Sequence, residues 1–117
     1  MDNSKFSRLA ERTIALIADT IEVEDDKCLL EIDFQNDLLH ITTTQGIFVI
    51  NKHSAAKEIW LSSPISGPYH FYYLNGKWQT KTNDDLMLIL EQELNINFSK
   101  LQICDKILPT MSQLNSI

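Results

Sequence analysis

With three glycines, three prolines and two cysteines in 117 residues, this chain lacks the raw material for several kinds of machinery. Gly46, Gly67 and Gly76 stand apart, so no Gly-rich loop can cradle a phosphate. Cys28 and Cys104 have neither CxxC spacing nor a histidine cluster, which argues against a zinc site and a disulfide framework. Both read as reduced thiols in a reducing compartment. Basic residues are scarce: 10 Lys and Arg against 16 Asp and Glu give a net charge of −6. Nucleic acid demands the opposite footprint, whereas cations or a basic partner fit this sign. No apolar run approaches the ~20 residues needed to cross a bilayer. The N-terminus has no apolar signal core. Lys5, Arg8 and Arg12 could imitate a transit peptide, but Asp2 and Glu11 interrupt that pattern, and Phe6, Leu9 and Ile17 are wanted for a core. Ser62-Ser63 has no paired His and Asp, and Cys28 has no base near it in sequence, so no enzyme is expected.

What is present is ordinary globular material, 44% hydrophobic and 22% charged, enough for one domain over residues 1–117. Residues 4–23 read as a helix with Asn3 or Ser4 as N-cap and an apolar stripe of Phe6, Leu9, Thr13, Leu16, Ile17 and Ile21. Short strands follow. Leu30, Ile32 and Phe34 alternate with Glu31, Asp33 and Gln35; Asn36-Asp37 is a turn; Leu38–Thr43 is a second strand. Further strands read at Ile47–Asn51, Glu58–Ser63, Tyr69–Tyr73 and Trp78–Lys81, with Asn75-Gly76 a hairpin turn. Thr82-Asn83-Asp84-Asp85 reads as a capping box opening a second helix faced by Leu86, Ile89, Leu90 and Leu94. The predicted fold class is α+β, with two helices packed on one face of an antiparallel β-sheet and the other face left to water. The core is expected over about residues 4–95, with the tail 96–117 partly packed through Phe98, Leu101, Ile103, Ile107 and Leu108, and order ending at Pro109.

Seven acids crowd residues 19–33: Asp19, Glu22, Glu24, Asp25, Asp26, Glu31 and Asp33, opposed only by Lys27. At about 100° per residue, Asp19, Glu22 and Asp26 (if the helix reaches it) fall within roughly 60° of one another, away from the apolar stripe. Acids at a helix C-terminus oppose the dipole, and like charges repel by about 1 kcal/mol per pair at 4 Å in water. Such an arrangement costs stability. It is either a solvated acidic face or a surface kept for binding. Carboxylates are hard ligands for Mg²⁺, Ca²⁺, Mn²⁺ or iron, but EF-hand spacing is absent, so binding would be weak, exchangeable and multi-site.

The most specific stretch runs from Gly46 to Pro68: Gly46-Ile47-Phe48-Val49-Ile50-Asn51-Lys52, then Ile59-Trp60-Leu61-Ser62-Ser63-Pro64-Ile65-Ser66-Gly67-Pro68. Alternation puts Ile59 and Leu61 on one side of a strand and Glu58, Trp60 and Ser62 on the other. Trp60 is then either an exposed contact residue or a half-buried strand aromatic. Trp78, after the hairpin turn, reads as core or turn packing. His40 and His53 read as surface or strand histidines, His53 also as a metal ligand or partner contact in the turn after Lys52.

The run from Gly46 to Pro68 resembles the central sheet signature of the frataxin family, whose bacterial members are the CyaY proteins. The resemblance covers about residues 4–95 and implies the frataxin α–β sandwich. It implies an acidic ridge that binds Fe²⁺ and Fe³⁺ weakly, here Asp19, Glu22, Glu24, Asp25, Asp26, Glu31 and Asp33. It implies docking to a cysteine desulfurase and iron–sulfur scaffold protein through Asn51, Lys52, Trp60 and a contact near His70, where relatives often carry Arg. Around these residues, from Phe34 to Asn83, the acids are Asp37 and Glu58, against Lys52, Lys57, Lys77 and Lys81, a dipolar pattern that could orient a partner.

The resulting expectation is a monomeric accessory protein of iron–sulfur cluster assembly with iron as exchangeable cargo or signal, no nucleic acid and no membrane. The alternatives are a ferroxidase or iron store forming iron-driven oligomers, and an acidic adaptor with no metal role. Ferroxidase sites bring Glu and His together in a buried di-metal cage, and neither a Glu-x-x-His motif nor a buried acid cluster is visible here. The expected location is a bacterial cytoplasm, or the mitochondrial matrix in a eukaryote.

Overall fold

The computed structural model describes residues 1–98. The expectations for Leu101, Ile103, Cys104, Ile107, Leu108 and Pro109 lie outside them. The order is α1 (Asn3–Glu24), β1 (Glu31–Gln35), β2 (Leu38–Thr43), β3 (Gly46–His53), β4 (Glu58–Ser63), β5 (Gly67–Leu74), β6 (Lys77–Gln79) and α2 (Leu86–Leu94). The six strands form one antiparallel meander in sequence order. α1 crosses β2 and β3, and α2 lies against β6. This is the expected α+β layer.

The buried stripe of α1 is Phe6, Leu9, Ala10, Thr13, Ile14, Ile17, Ala18 and Ile21. Its spacing of three and four residues faces one side continuously. Leu16, expected in the stripe, is only half-buried; at about 100° per residue it falls roughly 100° from the stripe's centre. The helix starts one residue earlier than expected, because Asp2 is the N-cap and its carboxylate accepts the Lys5 N–H at 2.7 Å.

The α2 start also differs from the capping box. Asp85 is the N-cap and accepts the Met87 N–H at 2.9 Å, and the residue three positions on is Leu88, which cannot return the bond. Thr82 and Asp84 are instead tied into a loop knot. The Asp84 carboxylate accepts the hydroxyls of Thr80 and Thr82 at 3.0 and 2.8 Å.

Strand alternation sorts the sheet into two faces. Leu39, Ile41, Phe48, Ile50, Ile59, Leu61 and Phe71 point inward and are at most 1% exposed. Phe34 shares that side but is 40% exposed, because β1 is an edge strand. Trp78 is core, one of the two places its sequence position allowed: 3% exposed, with its indole N–H donated to the Thr13 hydroxyl at 3.0 Å. The Asn36-Asp37 and Asn75-Gly76 turns both have positive φ at their two central residues, the geometry of two-residue hairpins. Gly46 is required on two counts: its φ is +129°, and a Cβ there would sit 2.6 Å from the Pro64 Cβ. Ile96 and Phe98, at the start of the tail, are buried at 6% and 2% exposure.

Candidate functional site

The outward face carries a straight cross-strand row: Gln35 opposite Leu38, Leu38 opposite Asn51, Asn51 opposite Trp60, and Trp60 opposite His70. Three residues marked in the sequence for partner contact, Asn51, Trp60 and His70, thus meet in one line, although 19 positions separate the first from the last (70 − 51). Trp60 is half-buried, and its environment is specific. The His53 imidazole stacks on one ring face at 3.8 Å and 9°, and His70 on the other at 4.3 Å and 12°. The Glu58 carboxylate accepts the Trp60 indole N–H at 2.8 Å. His53 and Glu58 are cross-strand partners in the adjacent row. Alternation placed Glu58 outward in the sequence, whereas His53, expected in the turn after Lys52, ends β3 as a strand residue; the three-ring stack was not legible.

Lys52 does not join this row. It follows Phe48 and Ile50 on the inward side, and its ammonium donates to Glu11 at 2.6 Å, to the Ser7 hydroxyl at 2.9 Å and to Asp37 at 3.2 Å. Its side chain is 14% exposed. The dipolar reading is corrected accordingly. Of its four lysines, Lys52 is neutralised on the helix side, and Lys57 donates to the Met1 carbonyl at 2.9 Å from the turn after β3. Lys77, opposite Leu74, lies on the outward face, and Lys81 is exposed beyond β6.

The Lys52 hydrogen bond, and then its charge, holds the Glu11 carboxyl below its ordinary value of 4.5; the Glu11 hydrogen bond, helped by Asp37, raises Lys52 above 10.5. The Glu11 contribution to stability is therefore complete above pH 4.5 and lost as pH falls through its lowered value. The Lys52 contribution is complete below pH 10.5 and lost as pH rises through its raised value. Lys52→Met should cost about 1–3 kcal/mol in urea unfolding at neutral pH, because it leaves two carboxylates facing each other without their cation. The loss should shrink as pH falls through the lowered Glu11 value and that carboxyl takes up its proton. An unchanged urea midpoint would show that the network contributes nothing.

The seven acids are positioned less uniformly than their sequence spacing implied. Asp19 and Glu22 are exposed on α1, and Glu24 is half-buried at its end. The helix stops before Asp26, which therefore leaves the helical array and sits exposed in the following turn. Asp25 is the C-cap, and its two carboxylate oxygens accept the Leu29 and Leu30 N–H groups at 3.0 and 2.9 Å. It shapes the α1–β1 connection. Glu31 and Asp33 are exposed on the outward side of β1, with half-buried His40 opposite Asp33. Among the described residues no three His, Cys, Asp or Glu side chains converge as a metal site. The chemistry left is that of separate, solvated oxygen donors, each able to replace one or two waters on a hard cation.

No helix among the described residues is long and apolar enough to cross a membrane. The model of the frataxin-like domain matches residues 1–100. A mitochondrial frataxin homolog of Schizosaccharomyces pombe is 36% identical over 103 residues, covering 82% of this chain and 65% of that protein. The chain spans between 36% and 65% of the length of three curated relatives it matches. Among solved structures, a frataxin from Psychromonas ingrahamii superposes with a TM-score of 0.70 at 24% identity, covering 80% of this chain and 89% of that one, a likeness of fold. A trimeric frataxin from Saccharomyces cerevisiae, complexed with ferrous iron, superposes with a TM-score of 0.62 at 28% identity, covering 78% of this chain and 82% of that one.

Proposed function

From the premise that the chain belongs to the frataxin family, shown by the match over residues 1–100, we propose that it is an accessory protein of iron–sulfur cluster assembly. It docks to a cysteine desulfurase–scaffold complex through the Asn51–Trp60–His70 row and binds iron weakly on the acids of α1 and β1. The observation that carries the docking half is Trp60 itself: a large aromatic, half-exposed on the outward sheet face and held in one orientation. Trp is enriched, with Tyr and Arg, among the few residues that carry most of the binding energy of protein interfaces. Asn51 beside it adds hydrogen-bonding capacity. Lys52 serves the same surface indirectly, by fastening the end of β3 to α1 and to the β1–β2 turn.

Iron serves as cargo or signal. Asp19, Glu22, Asp26, Glu31 and Asp33 are exposed hard donors, suited to Fe²⁺ or Fe³⁺ that keeps most of its water. The protein performs no chemistry of its own in this reading. It acts as a monomer, and iron-driven oligomers of the kind a ferroxidase or store would form are the rival. A bacterial cytoplasm or a mitochondrial matrix is the proposed location. The absence of converging ligands among the described residues favours a second reading, an adaptor with no metal role.

An anaerobic amide NMR titration with Fe²⁺ separates the two. Selective broadening from Asp19 to Asp33 supports iron on the ridge. A spectrum unchanged at excess Fe²⁺, with docking retained in chelator, leaves the adaptor. Oxygen consumption on adding Fe²⁺ would favour the ferroxidase. The double variant Asp19→Asn with Glu22→Gln should weaken the broadening and raise the melting temperature by a few degrees, since it removes like charge from the C-terminal half of α1. A lower melting temperature would show that these acids make structural contacts.

A further inference from the structure

The least expected arrangement on the outward face is the sandwich of Trp60 between two histidines contributed by different strands. His53 lies at the end of β3 and His70 within β5, on either side of Trp60 in β4. The two ring contacts are nearly parallel, at 9° and 12°. The indole edge is fixed as well, by the 2.8 Å bond to Glu58. Both faces and the N–H of Trp60 are thus occupied from within the chain, so a partner meets the rim of a three-ring block and not a bare indole face.

His53 has a further feature. Its Nδ1 accepts the Ala56 N–H at 3.3 Å. An accepting Nδ1 carries no proton, so in the neutral ring the proton is on Nε2. His53 therefore brings an N–H donor to the rim of the block. Asn51, next to Trp60 in the row, brings an amide. Donors on the rim call for acceptors opposite.

We propose that His53, His70 and Glu58 are positioning residues for Trp60: they clamp the indole before the partner arrives, and the clamped block fits a carboxylate-bearing protein segment that accepts from His53 Nε2–H. The inference rests on the docking reading above and deepens it. Immobilising a flexible side chain is part of the cost of any association. Here stacking and the Glu58 bond meet that cost during folding, so the interface needs no reordering of its central aromatic. His70 acts through its ring face alone; His53 acts through its ring face and its N–H.

The test uses the full-length chain and the purified cysteine desulfurase–scaffold complex of the same organism. Two quantities are measured: affinity, and the part of the near-ultraviolet indole dichroism that Trp60→Phe removes, which reports how tightly that ring is held. His70→Ala and His53→Ala should each reduce the dichroism and weaken binding about three- to tenfold, with the melting temperature unchanged within a few degrees. His70→Phe should restore both quantities, because it keeps the stacked ring. His53→Phe should restore the dichroism but not the affinity, because it lacks the N–H. Wild-type binding combined with unchanged affinity in both alanine variants overturns the clamp. Failure of the wild-type chain to bind the complex overturns the docking reading, and the inference with it. Rescue of binding by His53→Phe would overturn the carboxylate contact.

Discussion

Trp60→Ala should weaken binding to the desulfurase–scaffold complex by about thirtyfold or more, the equivalent of some 2 kcal/mol, while the fold stays intact. The two halves have separate physical grounds. Binding suffers because the variant removes the central ring of the His53–Trp60–His70 block and leaves Glu58 without its donor. Stability survives because the ring projects from the outward face, whereas the core is built from the inward residues of the same strands, such as Ile59 and Leu61. What the fold loses is cross-strand stacking, about 1 kcal/mol or less for each of the two pairs, which corresponds to a melting shift within about 10 °C. Calorimetry and a binding isotherm on the same sample check both halves. A collapse in stability would make Trp60 a core residue; full-strength binding would show that another surface docks.

Much of this face was legible in the sequence. Alternation alone sent Glu58, Trp60 and Ser62 outward, and the strand order followed from hairpin-length spacings between β-rich segments. Lys52 shows where a family signature led away from the local physics. Asn51 and Lys52 are adjacent in the signature, which implies contact for both, yet successive residues in a strand point to opposite faces. The inward Phe48 and Ile50 already gave the direction of Lys52, and Glu11 and Asp37 complete its surroundings. The imidazole–indole–imidazole stack was out of reach for another reason. It depends on the register of three strands at once and on ring orientations, which no periodicity encodes. The acidic ridge was legible as a count of charges but not as geometry. The left-handed backbone at Cys28, with φ of 52°, follows a helix end capped by Asp25, and that local choice turns one expected ligand into a loop fastener. The start of α2 differs from the capping box for a similar reason: Thr80, Thr82 and Asp84 satisfy one another, and Asp85 is left to cap the helix.

Trp78→Ala should do the reverse of Trp60→Ala: little to docking and great harm to the fold. Trp78 packs in the core cluster of the described residues, in an edge contact with Phe6 of α1 at 6.1 Å and a tilted contact with Tyr73 of β5 at 5.2 Å. Its indole N–H donates to the Thr13 hydroxyl, which in turn donates to the Leu9 carbonyl at 2.7 Å. One side chain thus joins α1, β5 and β6. Truncating a buried Trp to Ala costs about 3–5 kcal/mol, from lost transfer energy and the cavity left behind. A domain of this size has only about 5–15 kcal/mol in all, so the melting temperature should fall by about 10–25 °C. Trp78→Phe separates the ring from its polar edge. It keeps an aromatic against Phe6 and Tyr73, removes the N–H, and should cost less than the alanine variant, although the smaller ring also leaves some space. Thr13 still has the Leu9 carbonyl as its acceptor, so the hydrogen-bond part of that cost stays near 1 kcal/mol. Urea unfolding of the two variants gives the ranking directly. If Trp78→Ala melted within a few degrees of the wild type, the β5–β6 hairpin would not be part of the cooperative core. At temperatures where the alanine variant remains folded, its affinity for the desulfurase–scaffold complex should match that of the wild type, because the outward row and its three stacked rings lie on the other side of the sheet.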